Sequence, residues 1–153
     1  MSAIAAVNVF GDVIDPQTGR IVAGARAITE EPLQIGAEGY FADTLQVMKT
    51  LVGRPFGFAR RENTAIGVVA TNARLNKEQI NKVAQMAHDG LARAVIPAHT
   101  PRDGDTIFAL ATGKLGRQAN LLLVGALAAE VTAAAIVRAV RAARGLPGIP
   151  STS

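Results

Sequence analysis

The segment ENTAIGVVATNARL, residues 62–75, decides the fold. It passes from polar and charged residues that end at Asn63 into a β-branched, apolar run from Thr64 to Asn72. Such a run is typical of a strand that is buried on both faces. The threonine at this sharp junction is either an ordinary strand start or a residue that becomes a new N-terminus when the chain is cut.

A helix is predicted directly after this strand. Asn76 can cap it, and Gln79 three residues later completes a variant of the capping box. Apolar residues then recur at i, i+3, i+4 and i+7, and the pattern ends before Pro97. A second buried strand is expected over residues 105–112, DTIFALAT, followed by a turn at GKLGR and a long alanine-rich helix from about residue 118 to 144.

The residues before this unit predict more strands and an irregular connection. Residues 3–10, AIAAVNVF, have strand character, and residues 11–24 form a hairpin around the turn sequence DPQTG. Residues 26–63 are irregular apart from a short helical pattern in FADTLQVMKTLVG, and residues 54–63 resemble an accessible surface linker. The fold class is therefore α/β, with a mixed sheet covered by helices. The last helix and the strands are so apolar that further layers from another chain are expected.

Composition restricts the possible functions. A length of 153 residues suits one domain, and 49% hydrophobic with 18% charged residues is a globular composition. The absence of cysteine excludes disulfides, thiolate nucleophiles and cysteine-bound metals. The first residues, MSAIAAVNVFGDV, show no signal-peptide pattern, so a cytoplasmic location is expected.

Neither nucleic acid nor a membrane is an expected partner. The net charge of +4 is modest, and the arginines are scattered along the chain rather than gathered on one predicted face. Residues 120–137, NLLLVGALAAEVTAAAIV, are long enough to raise the question of a membrane span. Glu130 interrupts this stretch and alanine is only weakly apolar, so a helix buried in a large interface is the preferred interpretation.

Thr64 is the strongest candidate nucleophile. The serines lie at the extreme ends of the chain and no Gly-x-Ser-x-Gly motif is present. A threonine hydroxyl needs a base beside it, and one solution is to cut the chain so that its own α-amine becomes that base. The α-amine titrates at about 7.7 to 8.0, which suits proton transfer near neutral pH.

Three further polar residues are candidates for the same site. Asp103 and Asp105 flank Gly104 just before a strand, and they are expected to hold the new ammonium group; a solvated turn and a small cation site are the alternatives. Asn8 lies among apolar residues, where its amide either stabilises an oxyanion or forms a turn before Gly11.

The two histidines are expected to be structural. His88 lies beside the apolar helix face, and His99 lies between two prolines where it can support the loop that carries the aspartates. There is no HExxH, Walker or dinucleotide-binding glycine motif. No cofactor and no metal are therefore predicted.

Two segments together resemble a known enzyme family. NTAIGVVATNARL, and then AQMAHDGLARAVIPAHTPRDGDTIFALATG, are similar to the L-aminopeptidase/D-esterase family, which includes β-aminopeptidases and nylon-oligomer (6-aminohexanoate-oligomer) endohydrolases. The resemblance covers residues from about 3 to 145 and is dense and ungapped from Asn63 to Gly113. AVNVFGDVIDPQTGRIVAGA resembles the family segment that precedes the processing loop.

The resemblance implies a mechanism and a fold. Family members cut themselves into two subunits, and the new N-terminal Ser or Thr is the nucleophile; Asn63–Thr64 matches the cleavage junction of the nylon-oligomer branch. Asp103 and Asp105 match the acidic positions near the nucleophile, and Asn8 matches the residue that helps bind the oxyanion. The implied fold is an α/β/β/α sandwich of the ornithine acetyltransferase type. Family members are often tetramers, and the implied substrates are peptides or small amides.

The resemblance also implies that this chain is a C-terminal portion of the family unit. Residues 1–63 then correspond to the end of the α-subunit, with a processing linker at about 54–63, and residues 64–153 to the β-subunit. The expected sandwich is incomplete, and a lysine of the missing segment has no counterpart here. The alternative is a non-catalytic remnant that self-associates or needs an N-terminal partner chain; an acetyltransferase of the same fold is a third possibility, with fewer matching motifs.

Overall fold

A computed structural model of the protein describes residues 1–27, 40–50 and 63–147. In these ranges the strands are β1 (Ser2–Ala6), β2 (Asp12–Ile14), β3 (Ile21–Ala23), β4 (Ile66–Thr71), β5 (Val95–Ile96) and β6 (Thr106–Ala111). The helices are α1 (Thr44–Thr50), α2 (Lys77–Ala94) and α3 (Leu121–Ala142). The mixed α/β class predicted from the sequence is confirmed.

Two three-stranded sheets are formed. In the larger one β4 is central, pairing antiparallel with β1 and parallel with β6. In the smaller one β2 is central, pairing antiparallel with β3 and β5. The predicted hairpin over residues 11–24 is confirmed as β2 and β3, whereas the two-residue strand β5 was not foreseen.

The first strand is shorter than predicted. The sequence favoured a strand over residues 3–10, but β1 ends at Ala6. The residues after β1 lead towards the site instead, because the carbonyl of Asn8 accepts a hydrogen bond from the backbone N–H of Thr64 at 2.7 Å. This bond lies beyond the β1–β4 ladder, whose last pair is Ala6 with Ile66.

The helix predicted after β4 begins as expected. The Asn76 side chain accepts from the backbone N–H of Gln79, and the Gln79 side chain accepts from the backbone N–H of Asn76, at 2.8 and 3.0 Å. These reciprocal bonds satisfy donors that the first turn leaves free, and the capping box is confirmed. The short helix α1 is also confirmed within the predicted segment.

Helices α2 and α3 pack on one another and on one face of the larger sheet. The core contains Val69 and Ile107 of the sheet, Val83 and Leu91 of α2, and Ile136 of α3. Glycines permit the close helix approach: a Cβ at Gly90 would collide with the carbonyl of Ala129, and a Cβ at Gly125 would collide with Met86. α3 is somewhat shorter than predicted, because Asn120 caps it and Ala142 ends it.

The prediction that the strands are buried on both faces is wrong within this chain. Along β4 and β6 exposure alternates, so that Val69 and Ile107 are buried while Ile66 and Phe108 are exposed. The reason is that both long helices cover the same face of the sheet. The helix α3 is likewise partly exposed. Among the described residues it is the one helix that is long and apolar enough to cross a membrane, but the core helices of soluble proteins meet the same criteria.

Candidate active site

The site is assembled where β4 and β6 begin. Because the two strands are parallel, with Ile66 opposite Thr106, the residues that precede them lie side by side. An isolated parallel bridge between Asn63 and Asp103 extends this pairing upstream. The sheet topology therefore places the Asn63–Thr64 junction against the Asp-Gly-Asp segment, 40 residues away in sequence.

Backbone hydrogen bonds hold both sides of the junction. The N–H of Thr64 donates to the carbonyl of Asn8 at 2.7 Å, and the N–H of Gly104 donates to the carbonyl of Asn63 at 2.9 Å. The peptide bond that joins Asn63 to Thr64 thus has a hydrogen-bond partner on its carbonyl and another on its nitrogen. This arrangement fixes the plane of the peptide at which the family resemblance predicts cleavage.

The two aspartates have different roles in this geometry. Asp105 Oδ1 accepts from the backbone N–H of Ala65 at 2.8 Å, so its carboxylate holds the residue that follows Thr64. Asp103 Oδ2 accepts from the backbone N–H and the hydroxyl of Thr100 at 2.8 and 2.7 Å. The other oxygen of Asp103, Oδ1, is buried and has no hydrogen-bond partner in the part of the chain that the structure describes.

A buried acceptor without a donor is costly, by about 1 to 3 kcal/mol or more for a charged group. Asp103 Oδ1 is therefore available to accept a hydrogen bond that the described residues do not supply. A hydroxyl or an ammonium group would meet this need. The pair of carboxylates around Gly104 also makes the surroundings of Thr64 favourable for a positive charge.

The Thr64 side chain lies against Gly104. A Cβ added at Gly104 would be 3.0 Å from Thr64 Oγ1, a separation tighter than nearly all real Cβ contacts. Thr64 itself is half-buried rather than enclosed in the core. The hydroxyl is thus packed beside the one residue of the Asp-Gly-Asp segment that has no side chain.

All four predicted site residues meet at this place. Thr64, Asp103 and Asp105 lie together through the β4–β6 pairing, and Asn8 joins them through its main chain. The sequence predicted a role for the Asn8 side-chain amide, whereas the contact that the structure shows is made by its carbonyl. Asn8 is exposed, so its amide is open to solvent at the edge of the site.

The histidines lie directly beside this site. The rings of His88, on α2, and His99, in the loop before β6, are in contact with a centroid distance of 5.3 Å. Burial lowers the pKa of His88, and the nearby His99 lowers it further, while the charges of Asp105 and Asp89 act in the opposite direction. His88 is half-buried, in keeping with a packed histidine, whereas His99 is exposed apart from this ring contact, and its expected support of the aspartate loop stays a prediction.

Two supporting residues were missed by the sequence analysis. Thr100 anchors Asp103, and Gly104 admits the Thr64 hydroxyl. The spacing Thr-x-x-Asp in TPRD, residues 100–103, is a local signal for the first, because an acidic side chain can accept from the backbone N–H of a hydroxyl residue three positions earlier, as in a capping box. The role of Gly104 has no local signal, since it depends on β4 lying next to the loop.

The larger clefts lie elsewhere. One, of about 740 Å³, lies between the Asp15–Gln17 turn and α3; another, of about 460 Å³, lies between β1 and α3. Neither cleft includes Thr64 among its lining residues. Among residues 1–27, 40–50 and 63–147 no cluster of three or more His, Asp or Glu side chains is arranged to hold a metal. The predicted linker at 54–63 lies outside the described residues, except for Asn63.

Comparison with known proteins identifies the family. The model of peptidase family S58 matches residues 12–152. The chain belongs to this family, the L-aminopeptidase/D-esterase family. An uncharacterized aminopeptidase of Mycobacterium bovis is 38% identical over 169 residues, covering 99% of this chain and 46% of its own length. A 6-aminohexanoate-oligomer endohydrolase of a Kocuria species is 33% identical, covering 52% of this chain and 25% of its own length.

A further S58-type relative, an uncharacterized aminopeptidase of Mycobacterium leprae, is 37% identical and covers 99% of this chain and 43% of its own length. The chain thus spans less than half the length of the mycobacterial relatives that it matches. Family membership and the names of these relatives support a hydrolase of the peptidase type.

Proposed function

We propose that this S58 chain is the C-terminal portion of an autoprocessing amide hydrolase whose nucleophile is Thr64. The observation that carries the proposal is the packing of the Thr64 hydroxyl against Gly104, the central residue of the Asp-Gly-Asp segment, just before a sheet strand. The junction peptide is held on both sides by the bonds to Asn8 and Gly104. A threonine that only began a strand would need neither the packing against Gly104 nor the hydrogen bonds on both sides of the junction peptide.

This geometry supports a proposed route for self-cleavage. The Thr64 hydroxyl adds to the carbonyl carbon of Asn63, and the N–H of Gly104, already 2.9 Å from that carbonyl oxygen, stabilises the developing oxyanion. Asp103 Oδ1 accepts the hydroxyl proton. The carbon–nitrogen bond then breaks, Asp103 passes its proton to the nitrogen of Thr64, and an ester joins the Asn63 carbonyl carbon to the Thr64 side-chain oxygen. Water hydrolyses this ester and releases the Asn63 carboxylate and a free Thr64 amine.

The freed amine then serves the main reaction. As a base it accepts the proton of the Thr64 hydroxyl while that oxygen attacks the carbonyl of an amide substrate. The amide nitrogen leaves with a proton, and an acyl ester forms on Thr64. Water attacks this ester, the acid product leaves, and the hydroxyl is restored. The Asn8 carbonyl and the Asp103 carboxylate hold the ammonium form of the amine, and the exposed Asn8 amide contributes to the oxyanion site.

The substrate class is an amide of a peptide or of a small amino acid. Relatives named aminopeptidase and 6-aminohexanoate-oligomer endohydrolase motivate both possibilities. Acidic groups beside the nucleophile favour substrates that carry an amine rather than a carboxylate near the reacting bond. Aminoacyl p-nitroanilides and 6-aminohexanoate oligomers are therefore the substrates to assay first.

Intact-mass analysis tests the proposal. We expect the purified protein to separate into fragments of residues 1–63 and 64–153, and Thr64→Ala to remain uncut and inactive. Thr64→Ser keeps the hydroxyl and is the matched variant, so it should still be cut. An uncut protein that hydrolyses amides, or amidase activity in Thr64→Ala, would contradict the proposal.

We also propose that the exposed face of the larger sheet is covered by the rest of the family unit. Ile4 and Phe108 on this face are 72% and 59% exposed, and Ile66 and Leu110 beside them are exposed as well. Such a contiguous apolar face on adjacent strands is typical of an interface. A second sheet laid on it, from the same or another polypeptide, would complete the predicted α/β/β/α sandwich and add walls to the substrate cleft.

Reconstitution separates this proposal from the alternative of a self-associating remnant. Addition of the N-terminal half of a mycobacterial relative should form a complex with this chain and should raise amide hydrolysis. Phe108→Asp should prevent the complex, whereas Thr106→Ser on the same face should not. A stable homodimer that excludes the added half and never hydrolyses amides would favour the remnant.

A further inference from the structure

The outer face of helix α3 carries a ridge of exposed residues between two grooves. One groove, of about 740 Å³, lies between α3 and the Asp15–Gln17 turn, and the other, of about 460 Å³, lies between α3 and β1. Ala134 and Arg138 line both grooves. The ridge follows every fourth position of the helix and consists of Leu122, Ala126, Glu130, Ala134, Arg138 and Ala142, all of them exposed. A row at this spacing, with a groove on either side, is the surface through which two helices most often pack.

Two opposite charges interrupt this ridge. Neither Glu130 nor Arg138 forms an ion pair or a side-chain hydrogen bond with any residue that the structure describes. They lie eight residues apart in sequence, about 12 Å along the helix axis, which is too far for a direct ion pair. Arg93 of α2 lines the same groove as Glu130 but forms no ion pair with it. Both ridge charges are therefore free to meet the charges of a second molecule.

The ridge is complementary to an antiparallel copy of itself. Ala134 lies midway between Glu130 and Arg138, four residues from each. A two-fold axis at Ala134 therefore places Glu130 of each copy opposite Arg138 of the other, and both ion pairs form at once. The same axis sets Ala126 opposite Ala142 and Ala134 opposite itself, so that only small side chains meet elsewhere along the centre of the ridge. A parallel copy would instead bring like charges together.

We propose that α3 is a dimerisation helix whose partner is the antiparallel α3 of a second copy of this chain. The alanines permit close approach and supply apolar contact, whereas the exposed ion pairs add little affinity and fix the direction and register of the helices. The contact leaves the open face of the larger sheet free. It does not depend on Thr64 as a nucleophile, so the two proposals can fail separately.

Charge reversal tests the pairing in the 153-residue chain. Every protein in the test carries Phe108→Ser, which weakens association through the open sheet face, and light scattering after gel filtration gives the molar mass as a function of concentration. We expect this parent protein to dimerise. Glu130→Arg or Arg138→Glu alone places like charges opposite one another and should weaken the dimer roughly tenfold or more, and the double variant should restore it.

Mixing the two single variants makes the test more specific. In a mixed dimer of Glu130→Arg with Arg138→Glu, every facing pair again has opposite charges, so a heterodimer should form although neither variant pairs with itself. Lys82→Glu, at an exposed position of α2, is the matched control for Arg138→Glu. It should leave the parent dimer intact and should not form a heterodimer with Glu130→Arg.

Single cysteines test the position of the axis, because the natural chain has no cysteine. In Ala134→Cys the two thiols face one another across the axis, and oxidation with diamide should join the copies through a disulfide. In Ala126→Cys the two thiols lie about 24 Å apart along the paired helices, so the same treatment should leave the chains separate. Both positions are exposed, which makes their access to the oxidant comparable.

The inference is overturned if the Phe108→Ser parent is a monomer, since association then uses the open sheet face. It is also overturned if the folded charge variants dimerise as the parent does, or if Ala126→Cys forms the disulfide and Ala134→Cys does not. Circular dichroism establishes that each variant is folded. Failure of the proposed function would appear instead as amidase activity in Thr64→Ala, which leaves the dimer unchanged.

Discussion

At the scale of single residues, the site depends on groups that are small or unpaired. Gly104 leaves room for the Thr64 hydroxyl, and Asp103 keeps one buried oxygen for which the described part of the chain offers no donor. Neither property belongs to the residue type itself. An Asp-Gly-Asp segment is a common turn, and it becomes a candidate active site only because the parallel pairing of β4 and β6 sets it beside Thr64.

We expect Gly104→Ala to slow self-cleavage at least tenfold while the fold is kept. The new Cβ would lie 3.0 Å from Thr64 Oγ1, so the hydroxyl must move away from the aspartates. Gly67→Ala is the control, because its Cβ would meet Ile107 at an ordinary 3.4 Å. Intact mass over time measures the rate; equal rates for wild type and Gly104→Ala would show that the contact is unimportant.

Asp15 gives a prediction about pH. Hydrogen bonding from the Gln17 N–H, and then from Arg141, lowers its pKa below 3.8. A lowered pKa favours the folded carboxylate, so this stabilisation is present above pH 3.8 and is lost as the pH falls through the folded pKa. Arg141→Gln should raise the Asp15 pKa in an NMR titration. It should also reduce the decrease in the free energy of unfolding on acidification, whereas Arg144→Gln should change neither quantity.

At the scale of elements, the helices are held by features that can be read along the chain and by others that cannot. The capping box of α2 and the turn glycines are local, and they were predicted. The close approach of α2 to α3 is not local. It needs Gly90 opposite Ala129 and Gly125 opposite Met86, positions that become partners only after the helices have packed.

Gly90→Ala is expected to destabilise the protein by about 1 to 2 kcal/mol in urea unfolding, because overpacking against backbone costs more than the gain in helix propensity. The new Cβ would collide with the Ala129 carbonyl, which cannot rotate away as a side chain can. Asn81→Ala, at an exposed position of the same helix, should be neutral or slightly stabilising. Increased stability of Gly90→Ala would show that the two helices are free to separate.

At the scale of the whole molecule, the sheet has one covered and one open face. Side-chain exposure alternates along β4 and β6, with Val69 and Ile107 buried and Ile66 and Phe108 exposed, as in a half-buried sheet. The composition of these strands is nevertheless that of a fully buried sheet. Such strands are expected if a further layer, as proposed above, covers the open face. This agrees with a chain that spans 46% of the length of its Mycobacterium bovis relative.

The open face predicts the behaviour of the chain by itself. We expect it to bind the dye ANS and to associate at micromolar concentration, because exposed apolar residues on three neighbouring strands are contiguous. Phe108→Ser should at least halve the dye fluorescence with little loss of stability, since the side chain is already exposed. Thr106→Ser is the control; unchanged fluorescence in Phe108→Ser would place the dye elsewhere.

The sequence by itself determined the α/β class, the hairpin, the capped helix α2 and the candidates Thr64, Asp103 and Asp105. The elements could be predicted because hydrophobic periodicity, turn residues and helix caps are signals that extend over only a few neighbouring positions. The tertiary structure alone decided that the Asp-Gly-Asp segment lies on the Asn63–Thr64 peptide, that Asn8 meets Thr64 through its carbonyl, and that one sheet face stays open. These features depend on strand partners and helix placement far apart in sequence, for which a local pattern carries no information.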